Sequence, residues 1–180
     1  MIFDIIIIEY KYVGLRGQTL GELMKNILIV CADKMLRKDI GEVLAKELGF
    51  LYADIDEILD YEILNHSTGT IVASSEKFQQ LETDSVVKAL DYNNCVLTIS
   101  CNMFVSNANF KLFNIPKIFV RLSKSYMVAR FTSDTYKLEQ ELLMFDKINK
   151  LIEINCDVVI DKDIKSIADI AKQIISDLKN

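Results

Sequence analysis

Ile27-Leu28-Ile29-Val30-Cys31, then Ala32-Asp33-Lys34-Met35-Leu36-Arg37-Lys38-Asp39, then Ile40-Gly41-Glu42-Val43-Leu44-Ala45-Lys46-Glu47-Leu48-Gly49 is the stretch that decides the fold. Its opening five residues are apolar and mostly β-branched, the pattern of a strand buried on both faces. Its closing part places Ile40, Val43, Leu44 and Leu48 at i, i+3, i+4 and i+8, a helical stripe, and Gly49 supplies the stop. Val96–Ile99, Ile118–Leu122 and Val158–Ile160 repeat the strand pattern. Ile167, Ile170, Ala171, Ile174, Ile175 and Leu178 form a second stripe, that of a helix packed on a sheet. Strands alternating with helices predict right-handed crossovers and an α/β domain of three layers.

Composition narrows the function. The 180 residues suit one domain with a substantial core. A net charge of −5, with Lys34, Arg37, Lys38, Lys124 and Lys147 scattered and no basic stripe, argues against nucleic acid as a partner. The apolar runs are too short to cross a bilayer, and Ile5–Ile8 lacks the basic lead-in and small-residue cleavage site of a signal peptide, so a cytoplasmic protein is expected. Cys31, Cys95, Cys101 and Cys156 form no C-x-x-C pair and read as buried reduced thiols. His66, the only histidine, has no ligand-spaced neighbour and reads as a surface or helix-end residue rather than a metal ligand.

Residues 1–23 fit less smoothly. Ile5–Val13 reads as an extra edge strand, followed by breaks at Gly14, Gly17 and Gly21. Alternatively, Gly21-Glu22 just ahead of Met24 is what a translated ribosome-binding site would look like, with Met24 as initiator. Either way the expected division is an extension over 1–23 and one domain over 24–180.

Four segments carry a family likeness from Ile27 almost to the C-terminus. They are Ile40–Phe50, Asp54-Ile55-Asp56-Glu57-Ile58-Leu59, Phe78-Gln79-Gln80-Leu81-Glu82 and Cys156-Asp157-Val158-Val159-Ile160-Asp161. In order and spacing they resemble the first helix, the D-x-D-E-L-I motif, the F-R-x-L-E segment and the last strand of shikimate kinases, P-loop enzymes of the nucleoside monophosphate kinase type. The resemblance implies a five-stranded parallel sheet in the order 2-3-1-4-5. It also implies phosphoryl transfer from ATP to the shikimate 3-hydroxyl with Mg²⁺, in aromatic amino-acid biosynthesis.

The chemistry-bearing positions depart from that pattern. A phosphate loop needs backbone N–H groups wrapped around the phosphates, glycines that allow close approach, a lysine, and a Ser or Thr on Mg²⁺. No glycine lies between Gly21 and Gly41. Anchored on Ile40-Gly41, the family's loop glycine falls on Leu36, its lysine on Arg37, and its Ser and Thr on Lys38 and Asp39. Sliding the alignment to put Lys38 in the lysine slot rotates the helical stripe by about 100°. Asp39 and Glu42, three apart, are spaced as a capping box, so the helix is expected to start near Ile40 with Asp39 as N-cap. Carboxylates would then fill a natural anion site, and a phosphate within about 4 Å would meet repulsion of about 1–4 kcal/mol per charge pair. Lys34, Arg37 and Lys38 would offset part of this.

Elsewhere the resemblance puts Asp54 on the carboxylate near Mg²⁺ and Asp56 on the one that bonds shikimate hydroxyls. Capping of the following helix explains either equally well. The substrate arginine falls on Gln79, which cannot form a charged fork. The substrate-facing glycine triplet falls on Ser100-Cys101-Asn102, and a second arginine falls near Lys147–Lys150, where none is present. After Arg130 the run Phe131–Tyr136 reads as a truncated lid without its arginine. The expectation is a shikimate-kinase-like protein with a degenerate ATP site, catalytically impaired, that binds a small shikimate-like ligand or a partner. It needs no cofactor. The alternatives are an active shikimate kinase that uses ATP, with Mg²⁺ on Asp54, through an atypical loop, and a kinase for another small metabolite served by Ser100-Cys101-Asn102. Partner and oligomeric state stay open.

Overall fold

The computed structural model describes residues 26–66, 76–129, 135–162 and 165–179. The 1–23 extension with its Met24 question, and residues 131–134 of the Phe131–Tyr136 lid run, lie outside the described residues, while Thr135 and Tyr136 open a helix. Five strands, β1 (Asn26–Val30), β2 (Leu51–Asp54), β3 (Cys95–Ile99), β4 (Lys117–Arg121) and β5 (Val158–Asp161), form one parallel sheet in the order β2-β3-β1-β4-β5. This is the order the sequence resemblance implied. β1 and β3 are buried at every residue, the polar Asn26 and Thr98 included, whereas the edge strand β2 is buried only at Asp54.

The side-chain alternation of β1 sends its residues to two cores. Ile27, Ile29 and Cys31 pack with Leu36, Ile40 and Leu44 of α1 (Lys34–Leu48) and with Ile170 and Ile174 of α7 (Ile167–Asp177). Leu28 and Val30 face the other layer. It draws on α2 (Ile55–His66), α3 (Glu76–Leu90), α4 (Cys101–Val105) and Ile152 of α6 (Thr135–Glu153). A short helix α5 (Lys124–Val128) follows β4. Gly41 of α1 lies so close to the sheet that a Cβ there would sit 2.5 Å from the Tyr52 ring and 2.8 Å from the Thr98 methyl. Gly49 ends α1 in the left-handed conformation, φ 70°, and its N–H reaches back to Ala45 and Lys46.

One expectation about α1 is overturned. The helix starts at Lys34, not near Ile40, and its N-cap is Asp33, not Asp39. The physical reason is burial. Leu36 and Arg37 continue the stripe of Ile40 and Leu44 one turn further back, and Asp33 Oδ1 accepts the Leu36 N–H at 3.1 Å. Asp39 is therefore an exposed residue inside the helix, and Lys38 rather than an N-cap partners Glu42, at 3.9 Å.

Candidate functional site

In parallel sheets of this kind ligands bind outside the carboxyl ends of the strands, where connections leave in opposite directions. From β1 the chain goes by α1 to β2, two strands away on one side, while β4 lies on the other side of β1. At that end only Cys31, Ala32 and Asp33 separate β1 from α1. Cys31 N–H donates to the Ile99 carbonyl at 3.2 Å, so the link leaves the sheet still bound to β3. Its thiol is completely buried, and burial pushes it up to about 12.

One turn into α1, Arg37 points back under this link and is buried, its side chain 3% exposed. Its Nε donates to Asp54 Oδ2 at 3.1 Å and its Nη2 to Asp54 Oδ1 at 3.3 Å, a bidentate fork. Nη2 also meets Asp56 Oδ2 at 3.1 Å. Burial works against the guanidinium charge, yet the Asp56 charge and the bond to Asp54 outweigh it and raise the arginine above its usual value. Asp54 Oδ1 in addition accepts the Asp56 N–H at 2.9 Å, so the same carboxylate caps α2 and holds Arg37. Asp56 Oδ2 accepts a second bond, from the Ser100 N–H at 2.8 Å, which ties α2 to the end of β3. On the other side of the link Asp33 Oδ2 accepts the Tyr126 hydroxyl at 2.8 Å, joining α5 to the start of α1.

The candidate residues thus divide. Arg37, Asp54, Asp56 and Ser100 converge in one bonded cluster. Lys34 lies on the surface, 3.8 Å from Glu57 and 4.0 Å from Asp60. Lys38 and Asp39 lie further along α1, Gln79 is exposed on α3, and Lys147 and Lys150 are exposed on α6. Of the Ser100-Cys101-Asn102 triplet, Ser100 caps α4 through Met103 N–H at 3.3 Å, Cys101 packs in the core and Asn102 is exposed. Asp33 and Tyr126 were not anticipated. Asp33 three residues ahead of Leu36 was a readable cap signal, whereas nothing local announces Tyr126. Among the described residues no group of three or more His, Cys, Asp or Glu could hold a metal ion, and no helix is long and apolar enough to cross a membrane.

A three-layer domain with this strand order has the fold of shikimate kinases and related P-loop kinases. The shikimate kinase family model matches residues 38–179, and the chain belongs to the shikimate kinase family. Its fold is similar to that of shikimate kinase from Aquifex aeolicus vf5 (15% identity, TM-score 0.68, 86% of this chain and 96% of that one). It is likewise similar to shikimate kinase from Acinetobacter baumannii in complex with shikimate (17%, 0.69, 86% and 93%). A third, from Bacteroides thetaiotaomicron, gives 11% identity and a TM-score of 0.69, over 87% and 99%. Identities this low speak to the fold alone. No curated protein matches the chain.

Proposed function

We propose that this protein is a shikimate-kinase-like binding domain with a degenerate ATP site, impaired in phosphoryl transfer, whose cluster at the strand ends receives a small ligand. The observation that carries this reading is the state of Arg37. It stands where the family's phosphate lysine aligns, yet it is buried and held by two carboxylates of its own chain. A cation so engaged leaves those partners only if a phosphate offers more than Asp54 and Asp56 together.

The link between β1 and α1 supports the same reading. A phosphate-binding loop of this class needs several inward-facing N–H groups between its first glycine and the helix. Three residues without a glycine precede α1 here, and the Asp33 carboxylate occupies the helix start. A triphosphate brought there meets Asp33, Asp54 and Asp56 against one guanidinium. The residues present therefore do not suit ATP–Mg²⁺: Lys38 and Asp39 replace the hydroxyl residues, and Asp54 is already bonded to Arg37 and to a backbone N–H. The Asp54 and Asp56 carboxylates themselves favour the second reading, an active shikimate kinase with an unusual loop. In the family it is such residues that serve Mg²⁺ and substrate.

Thermal melts with ATP–Mg²⁺, ADP and shikimate, paired with a coupled assay for ADP release, separate the two. We expect no stabilisation by ATP–Mg²⁺ and no shikimate-dependent turnover. A saturable rise in Tm with ATP–Mg²⁺ together with turnover would refute the degenerate-site reading.

A further inference from the structure

The two edges of the sheet differ. Beside β5, Asp161 meets Arg121 at 2.6 Å, Arg121 meets Glu153 at 3.3 Å, and Lys162 follows the strand. The other edge strand, β2, is Leu51-Tyr52-Ala53-Asp54 and carries no lysine or proline, the residues that keep an edge from pairing with another chain. The Leu51 N–H donates to the Asn94 carbonyl at 2.8 Å, so the polar groups of Leu51 face β3 and strand alternation turns those of Phe50 and Tyr52 outward. The Phe50 N–H already donates to the Ala45 carbonyl at 2.9 Å. Among the described residues this leaves, facing outward, the Phe50 C=O on one side of Leu51 and the Tyr52 N–H and C=O on the other. Asp54, further along, is buried. Leu51 itself is 69% exposed. It shares a face of the sheet with Ala53, which packs in the same layer as Ile55 and Leu59 of α2. The solvent side of that helix adds Tyr61 and Leu64, 64% and 77% exposed.

We propose that this edge is a self-association surface, on which a second copy of the chain pairs with β2 antiparallel about a twofold axis through Leu51, so that two sheets become one. An acceptor and a donor lie one residue to either side of Leu51, and the axis brings the Tyr52 N–H of each copy to the Phe50 C=O of the other. It also sets Leu51 opposite its own symmetry mate as a non-hydrogen-bonded pair, the closer kind, where two aliphatic side chains stabilise the seam. This self-matching order of acceptor, leucine and donor is what favours a second copy over an unrelated peptide, which needs no such symmetry. Two backbone bonds and one apolar patch fall short of a standard interface, so the dimer is weak and forms as concentration rises.

Sedimentation equilibrium of the full chain tests this, at protomer concentrations from about 1 to about 500 µM, the span in which a small interface associates. The wild type should move from the chain mass of 20.6 kDa towards twice that value. Leu51→Asp and Leu51→Lys each set like charges opposite one another across the axis, and alone each should raise the dimer Kd about tenfold or more. Their equimolar mixture at low ionic strength sets Asp against Lys and should associate again, as one copy of each. Ile154→Asp, at an exposed apolar residue between α6 and β5, should leave the wild-type Kd unchanged. A wild type that stays at chain mass throughout overturns the proposal. So does a dimer indifferent to Leu51→Asp or lost in Ile154→Asp, or a mixture no more associated than its components. Should a Leu51 variant fail to fold, amide exchange followed by NMR in the wild type gives the answer. Protection of the Tyr52 N–H that grows with protein concentration supports the second copy. Protection that is the same at every concentration overturns it, because a segment of the same chain then covers the edge.

Discussion

Arg37→Met asks how firmly the cluster is closed. Methionine fills much of the same space but removes the charge that balances Asp54 and Asp56. Asp54 is fully sealed, and Arg37 is its only ion-pair partner among the described residues. Truncating one partner of a buried pair leaves the other charged and desolvated, which costs about 3–5 kcal/mol. At roughly 2–4 °C per kcal/mol for a domain of this length, Tm falls by about 6–20 °C. Urea denaturation with linear extrapolation measures the loss directly. Arg37→Lys should lie between, since an ammonium restores the charge but not the fork. Adding Asp54→Asn to Arg37→Met should recover at least about 1 kcal/mol, because asparagine still accepts the Asp56 N–H and needs no counter-charge. A loss below about 1 kcal/mol for Arg37→Met would refute the reasoning. It would mean that the guanidinium is not committed to the two carboxylates in solution and is available to an external anion.

Three further outcomes are expected. Asp33→Ala removes the cap of α1 and the Tyr126 bond and should cost about 2 kcal/mol. Asp39→Ala, at an exposed mid-helix site, should stay within about 0.5 kcal/mol. Chemical denaturation of the pair decides, and the reverse order would restore Asp39 as the cap. Gly41→Ala gains roughly 1 kcal/mol of helix propensity, but its Cβ would press on a Tyr52 ring tethered to Thr98 by a 3.2 Å hydrogen bond. Overpacking of about 1–3 kcal/mol should make the net effect a lower Tm, and a stabilised variant would show that β2 yields freely. Stability should also fall in alkali. Burial raises Cys31 and Cys156 from 9.0 to about 12 and Cys95 to about 11, so above pH 9 the unfolded chain has released protons that the folded chain keeps. The unfolded state then binds fewer protons, and the stability present below pH 9 is lost as pH rises through 11 to 12, by up to about 1.4 kcal/mol per unit per thiol. Urea titrations at pH 8, 9, 10 and 11 read this. A flat profile, or one unchanged by Cys31→Ala, would contradict it.

How much could be read in advance follows from where the information lies. Strands β1, β3, β4 and β5 were legible to within one residue because each is a contiguous apolar run. Strand β2, Leu-Tyr-Ala-Asp, was not read from its residues. It is an edge strand with Leu51 exposed, and its apolar run, Phe50–Ala53, is short and lacks β-branched residues. The start of α1 was misplaced because Asp39/Glu42 and Asp33 both offer local caps. The choice between them is made by burial of Leu36 and Arg37 against the sheet, a tertiary effect. Asp54 and Asp56 were legible as a pair at a strand-to-helix junction. Their engagement with Arg37, 17 residues back from Asp54, and with Ser100, 44 residues ahead of Asp56, depends on strand order and could not be derived from spacing.

The placement of the trio bears on what it is for. A buried ion pair is weak evidence for stability, since apolar residues of similar volume commonly serve a fold as well or better. Nothing in the packing of α1 calls for charge at position 37, where a leucine or methionine would continue the stripe of Leu36, Ile40 and Leu44. The charges instead lie together outside the ends of β1, β2 and β3, where sheets of this topology receive ligands, and their most exposed side chain, Asp56, is the one held by two converging donors. A purely structural role gives no reason for that arrangement. A ligand position at that end of the sheet does give one.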